Sequence, residues 1–403
     1  MRVVVLGAGV VGVATAHFLA KKGYEVVVVD RAESVASGAS FANGGQLSYS
    51  FTDALARPGM PAKLPSLVFG ADAAIRVRPP LDIEFLRWGM SFLGQCSASK
   101  FHDNTVAVLR LALQSGTLIR ELVADVDIDF SYRAAGKLVL LRSASEMDAA
   151  TKSVALKTAS GCDVRLLSFD EACDIEPSLV SMRSGYSGAV YSPGDEVGDA
   201  ALFSKGLAAY LKRERGVEFR LGCHVNGLQV KNERIAGVTC DGGEMPADAV
   251  VVCLGASSAG FLRKTGLRVP IVPLRGYSVT LPEGAKAPRV SISDTEHRVV
   301  FSAMNGMVRI AGFADFVGFD ESGDARRTQQ LLEVAKRIAP DAADYSSPDP
   351  QPWGGFRPMT ANSRPIVGPT NTRGLYLNCG HGMLGWTLAC ATGFNVAQQI
   401  EKF

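Results

Sequence analysis

Solid apolar runs and helically spaced ones alternate along the chain, and the same unit stands at both ends. Residues 3–6 are a valine-rich run without polar interruption, the pattern of a strand buried on both faces. Residues 14–22 change to helical spacing, with Ala14, Phe18 and Leu19 on one face, and Gly23 stops them. Residues 25–29 are a second strand ending at Asp30. At the far end, residues 374–378 read as a strand, Gly380, Gly382 and Gly385 as a turn, and residues 386–400 as a helix. Between these ends, residues 104–122 space Val108, Leu111 and Leu118 for a buried helix face. Residues 136–141 are a strand, residues 185–212 pass from a hairpin into a helix, and residues 216–242 are short strands broken by turn residues. Residues 248–254 are another buried strand. Residues 268–354 alternate as antiparallel strands do, with one helix over 328–338.

Strand–turn–helix units at both ends, with a buried strand returning in the middle, predict an α/β protein. The expected architecture is a discontinuous Rossmann-like dinucleotide domain with an inserted α+β substrate domain built on an antiparallel sheet. The boundaries read from the pattern are 1–56, 194–267 and 355–403 for the first, and 57–193 and 268–354 for the second. The chain shows no internal repeat.

Composition narrows the class. Lys and Arg number 42 against 40 Asp and Glu, a net charge of +2. Without a local basic block this gives no footing for nucleic acid. The eight cysteines include no C-x-x-C pair and the five histidines no metal spacing, so reduced thiols and no metal site are expected. No apolar run reaches the ~18 residues of a membrane span, and the N-terminal run is not a signal peptide. A cytoplasmic location follows as the expectation. One stretch, 54–95, mixes prolines and apolar residues with Lys63, Arg76, Arg78 and Arg87. It reads either as an amphipathic patch for peripheral contact with the inner membrane or as a segment packed between domains.

The candidate chemistry begins with Gly7, Gly9 and Gly12, a G-x-G-x-x-G turn. With 42 glycines in the chain, chance alone supplies about 0.4 such patterns, so the flanking strand, the following helix and the acid about 20 residues on carry the weight. The glycines suit a tight turn, a close pyrophosphate and close helix packing, while the N–H groups of Val10 and Val11 open the helix toward the phosphates. Asp30, followed by Arg31, suits ribose hydroxyls and disfavours a 2′-phosphate; the turn alone does not separate NAD from FAD. Residues 37–50 are long, small and polar, and Ser40, Asn43, Gly44, Gly45 and Gln46 are expected along an extended cofactor. Backbone near Val225 is expected at the adenine edge, and Gly255 at the junction after the middle strand. The second glycine turn, with Gly382, Met383, Leu384 and Gly385, aims a helix N-terminus at an electron-rich edge such as the N1–C2=O side of a reduced flavin. Two such turns favour a flavoprotein over a nicotinamide enzyme.

The segments VVVLGAGVVGVATAHFLAKKGYEVVVVDR, ANGGQLS, GDEVGDAALF, PLRGYSVT, GFRPMTANSRPIVG and NCGHGMLGWTLACATG resemble the bacterial FAD-dependent D-amino acid dehydrogenase family, of the small-subunit type. That family lies in the wider D-amino acid oxidase and glycine oxidase superfamily, and the resemblance runs along essentially the whole chain. It implies FAD held by Gly7, Gly9, Gly12 and Asp30, with Asn43, Gly45 and Gln46 near the flavin and residues 382–385 capping its ring. It also implies an amino acid substrate and a quinone or respiratory-chain acceptor. Relatives usually carry a further tail, whereas this sequence stops at Phe403.

Oxidising an amino acid at Cα calls for a fixed carboxylate, and an arginine fork suits it. Arg357 is the first candidate, with an interdomain ion pair as its alternative. Tyr277 is a second candidate for the same carboxylate; Arg275 and Tyr49 are weaker ones. His381 is expected to serve through its backbone or a hydrogen bond beside the flavin rather than as a base. Competing readings are an oxidase of glycine, sarcosine or hydroxyproline type, a flavin-binding electron-transfer subunit without turnover, and an NAD enzyme.

Overall fold

Two sheets organise the protein, a computed structural model that describes residues 1–68, 70, 72–78, 82–182 and 185–400. The chain end at Phe403 and residues 69, 71 and 79–81 of the 54–95 stretch lie outside the described residues.

The first sheet has six strands in the order β19 (Ile366–Pro369), β20 (Leu375–Cys379), β13 (Ala249–Val252), β1 (Arg2–Leu6), β2 (Glu25–Val29) and β9 (Glu218–Arg220). All its pairings are parallel except β19 with β20. The solid apolar runs explain this. Val3 to Leu6 and Val250 to Val252 are fully buried, as strands covered on both faces must be. One face is covered by α1 (Val10–Lys21), α4 (Ala98–Asp125), α7 (Ala200–Arg215) and α10 (Gly385–Gln399), whose apolar residues join one core with Val3, Val5 and Val251. The other face carries a three-stranded sheet of β10 (Val225–Lys231), β11 (Arg234–Cys240) and β12 (Gly243–Pro246), together with α8 (Ser258–Lys264).

The second sheet has nine strands: β18 (Gln351–Thr360), β14 (Ile271–Pro282), β17 (Met307–Phe316), β16 (Val299–Met304), β15 (Ser291–Asp294), β5 (Lys137–Leu141), β7 (Gly188–Ser192) and β6 (Arg165–Ser168) in that order, with β4 (Ile75–Val77) beside β17. It is antiparallel except at β5–β15 and β4–β17, and α9 (Asp324–Ile338) packs on it. The helices α2 (Met60–Val68), α3 (Ile83–Gly94), α5 (Ala144–Ala159) and α6 (Phe169–Ile175) fill the connections. A two-stranded piece, β3 (Gln46–Leu47) with β8 (Glu196–Val197), lies between the sheets.

Two features depart from the pattern-derived division. Residue 355 falls inside β18, all of which pairs with β14. Residues 98–125 fall in the range expected for the substrate domain, yet α4 packs on α10 and buries Val108, Ala112, Ile119 and Leu122 in the core of the first sheet. Helical spacing shows which face is buried, not which neighbour buries it.

Candidate active site

The N-terminal turn is closed by sterics. Gly7 has φ +108°, and a Cβ on it would lie 2.5 Å from the Cys253 carbonyl oxygen; one on Gly12 would lie 1.8 Å from the Gly7 oxygen. Both positions are therefore confined to glycine. Gly9 differs: a Cβ there would meet only Ser40 Oγ, at 3.4 Å, so its open side is a cradle. The N-terminus of α1 has no side-chain cap from Gly9, while the Val10 N–H donates to Ser40 Oγ at 3.0 Å. Asp30 at the end of β2 accepts from the Ala8 N–H at 2.7 Å and the Ala32 N–H at 2.9 Å. Each carboxylate oxygen keeps acceptor capacity for a hydroxyl. The Cys223 N–H donates to the Asp30 carbonyl at 2.9 Å, which sets Val225 near that acid. Arg31 is exposed beside it.

The second turn sits on the same edge of the same sheet. Parallel strands β1, β13 and β20 end side by side, so the turns after β1 and β20 are two strand spacings apart, about 10 Å. Gly255, φ +55°, lies between them at the end of β13 with nothing against the space a Cβ would take. No side chain caps α10; Leu384 and Gly385 are half-buried and Met383 is exposed. The loop from residue 40 to 48 joins the two helix starts. It begins with Ser40 at α1 and ends with the Ser48 N–H donating to Thr387 Oγ1 of α10 at 3.1 Å. On the way, Asn43 Oδ1 accepts from the Gly45 N–H, Gly44 faces Val300 and Ala311, and Gly45 faces Met304. An extended ligand bridging two helix N-termini fits this cradle.

Arg357 stands next to the second turn, because the Gly382 N–H donates to the carbonyl of its neighbour Pro358 at 2.9 Å. Its guanidinium crosses β14 at Gly276, where a Cβ would lie 2.4 Å from Cζ. Opposite Gly276 the β14–β17 register slips between Arg275 and Tyr277, and Phe313 takes φ +57°, a costly conformation for an aromatic residue. This bulge turns the Phe313 carbonyl toward Arg357, which donates to it from Nη1 at 2.8 Å. Burial pulls the Arg357 pKa down to about 10, with Asp315 and Tyr277 opposing the shift. The residue nevertheless keeps accessible surface. No acid forms an ion pair with it among the described residues. A desolvated cation with no ion-paired acid is a candidate to hold an anion.

The other candidates are already committed. The Tyr277 hydroxyl is buried and donates to Asp315 Oδ2 at 2.8 Å, so its proton is not free for a second carboxylate. Burial, then Asp315, raises its pKa. Arg275 is 3% exposed and bound by Glu321 at 3.1 Å and by Asp324. Tyr49 donates to Glu196 Oε2 at 2.6 Å. His381 is buried, its Nε2 lies 2.9 Å from Thr392 Oγ1, and burial lowers its pKa to about 3. It is a neutral ring.

Sequence reasoning passed over two groups here. Asp315, fully buried, is held by Arg76 at 3.1 Å and Arg327 at 2.8 Å besides Tyr277. Lys137 is buried and donates to Gln46 Oε1 and Ser48 Oγ at 3.0 and 2.8 Å. A lysine opening the apolar run of β5 was the available signal. No group of three potential metal ligands occurs among the described residues, and the eight cysteines are free thiols.

Comparison with known proteins gives concordant results. The family described as FAD dependent oxidoreductase matches residues 2–399. A D-amino acid dehydrogenase of Paramagnetospirillum magneticum is 39% identical over 100% of this chain and 95% of its own length. One from Xylella fastidiosa is 38% identical over 99% and 92%. Among solved structures, a glycine oxidase from Geobacillus kaustophilus has a TM-score of 0.76 at 22% identity, covering 100% of this chain and 96% of that one. An L-proline dehydrogenase from P. horikoshii has a TM-score of 0.75 at 19% identity, covering 98% and 92%; both structures share the fold. Matched from its first strand to its last helix, the chain belongs to the FAD dependent oxidoreductase family.

Proposed function

We propose that the protein is a D-amino acid dehydrogenase, deaminating D-amino acids oxidatively to 2-oxo acids and ammonia. The observation that carries this reading is Arg357, a desolvated cation without an acidic partner beside the second glycine turn. Relatives at 39% and 38% identity bear the D-amino acid dehydrogenase name over nearly their full length.

FAD, when bound, supplies a two-electron acceptor that takes hydride from the substrate Cα at N5. The residues that hold it are assigned as follows. The turn of Gly7, Gly9 and Gly12 with the N–H groups of Val10 and Val11 takes the pyrophosphate, Asp30 and Arg31 the ribose, and backbone at Val225 the adenine edge. Ser40, Asn43, Gly44, Gly45 and Gln46 run along the cofactor toward the ring. Gly255 leaves room between the turns, and Gly382, Met383, Leu384 and Gly385 would present the α10 N-terminus to the ring, where its partial positive charge would favour the reduced flavin. Arg357 keeps the rest of its fork free beyond Phe313 and grips the substrate carboxylate. That grip fixes where Cα–H points, which is most of what hydride transfer asks of a protein. His381, neutral and hydrogen-bonded to Thr392, supports the turn and takes no proton. The imino acid product hydrolyses in water.

On this reading the domain division follows the sheets, with α4 on the cofactor side and β18 on the substrate side. Electrons leave to a quinone or another respiratory-chain acceptor. No described helix is long and apolar enough to cross a membrane, but α3 turns Ile83, Leu86, Met90 and Leu93 outward, between 46% and 66% exposed. Their 3- and 4-residue spacing makes one apolar stripe, suited to peripheral contact with the cytoplasmic face of the inner membrane. Vesicle flotation that M90E does not weaken would remove that part.

Anaerobic mixing of the holoprotein with matched D- and L-amino acids tests the main reading. D-isomers bleach the flavin, and in air a dye is reduced faster than peroxide forms. A protein that no D-amino acid bleaches has another substrate class.

A further inference from the structure

Behind the end of the 40–48 loop lies a buried polar cluster of which the proposed chemistry uses only Gln46. Lys137, at the head of β5, is 3% exposed. Its ammonium donates to Gln46 Oε1 at 3.0 Å and Ser48 Oγ at 2.8 Å, and sits 4.6 Å from the centre of the Phe51 ring. Lysine only donates, so the Gln46 amide is fixed with its oxygen toward Lys137. Its Nε2 then points away, to Ser291 Oγ at 2.5 Å. Asp195, in the turn between β7 and β8, is 1% exposed. Its Oδ1 accepts from the N–H groups of Tyr49 and Ser50 and from Ser50 Oγ, all within 3.1 Å. Its Oδ2 is buried with no hydrogen-bond partner. Burial, and Lys157 with its ammonium 5.4 Å from the same Phe51 ring, pull the Lys137 pKa down to about 8, while Asp195 holds it up.

Burying a charge is costly, and the second sheet spends one here where the cofactor loop meets α10 through Ser48 and Thr387. A neutral glutamine or methionine would fill β5 at less cost. We propose that Lys137 is a positioning residue for the flavin end of the site. It orients the Gln46 amide and sets a fixed positive charge behind the loop that backs the isoalloxazine, with Asp195 partly offsetting that charge. The inference rests on the proposed run of residues 40–48 along FAD. The charge favours any state in which the ring carries extra negative charge, including the reduced state left by the substrate.

Sulfite is the probe, because it adds to oxidised flavin at N5 and leaves negative charge on the ring without turnover. In the purified holoprotein, K137M weakens sulfite binding about tenfold or more, as removal of a unit charge near the ring in a protein interior does. K137R, which keeps the charge, restores most of the affinity. D195N keeps the Oδ1 acceptor and removes the opposing charge, so it tightens sulfite binding. The opposite signs are the discriminating result, since damage to the loop would weaken binding in both. Weakening in both, or a change under twofold in both, overturns the inference. Should K137M not accumulate as holoprotein, D195N decides: tighter binding supports the role, and unchanged or weaker binding removes it. The wild type's bleaching by D-amino acids is read separately, so loss of the substrate reading and loss of the Lys137 role remain distinct outcomes.

Discussion

Arg275 and Arg357 lie on paired strands one register step apart, Arg275 opposite Phe356 and Leu274 opposite Arg357, yet they have opposite electrostatic surroundings. Arg275 is closed in by Glu321 and Asp324 and by the Phe356 ring at 4.2 Å. Arg357 has the Phe313 carbonyl and no ion-paired acid among the described residues. A buried cation with its acids in place is already paired; the one without an ion-paired acid is the one proposed to take the substrate carboxylate. One register step places their side chains on opposite faces of the sheet, so the face each meets supplies acids to Arg275 and none in ion-pair range to Arg357 among the described residues.

The comparison breaks most visibly on substitution. R357A should weaken binding of carboxylate substrates by about two orders of magnitude, the worth of a lost charged hydrogen-bond pair in a dry site, with FAD retained. R275A should instead lower stability by about 2 kcal/mol, less than a fully buried pair because Glu321 remains solvated. Substrate titrations and urea melts on both variants check the exchange of roles.

Gly276 sharpens it further. A methyl there collides with the Arg357 guanidinium, so G276A should destabilise the protein by about 1–3 kcal/mol, as overpacking does. In an R357A background the collision partner is gone, and the same change should be near neutral. Melting the two single variants and the double variant closes the cycle.

A third contrast sets Arg357 against the buried histidines. The interior keeps the arginine charged but holds His381 at about 3 and His17 at about 4, both chiefly through burial. Their unfolded value is near 6.5, so the unfolded chain binds more protons between that value and the folded ones. The stability they contribute is present above pH 6.5 and is lost as pH falls toward 4, at roughly 1 kcal/mol per pH unit for each. Urea melts at pH 7 and pH 5 read the slope, and H17N should remove part of it. The smallest effect is that of Y277F, about 1 kcal/mol of stability from the lost bond to Asp315, with substrate affinity within threefold of wild type.

What the sequence revealed and what it hid divide along the same line. The first turn was legible because strand, glycines, helix and Asp30 fall within one local unit whose spacing is set by the backbone. The second turn was legible for the same reason, and Arg357 was picked out as a candidate because it stands just ahead of that turn in the sequence. The commitments of Tyr277 and Arg275 were not, because their partners are 38 and 49 residues away and are joined to them only by the fold. Lys137 was hidden differently. Its strand was expected, but its partners Gln46 and Ser48 are 91 and 89 residues off, and a lone lysine at a strand start reads as a solvated end. The placement of α4 shows the limit for helices: 28 residues of amphipathic pattern do not say which sheet they cover.

The central claim is the proposed binding of the substrate carboxylate by Arg357. Propionate tests it most directly, since it carries the carboxylate and has no amine to oxidise. Titrated into the oxidised holoprotein and followed by the flavin absorbance, it should saturate in the wild type and bind about a hundredfold more weakly to R357A, with the flavin content unchanged. Equal affinity in the two proteins would contradict the account.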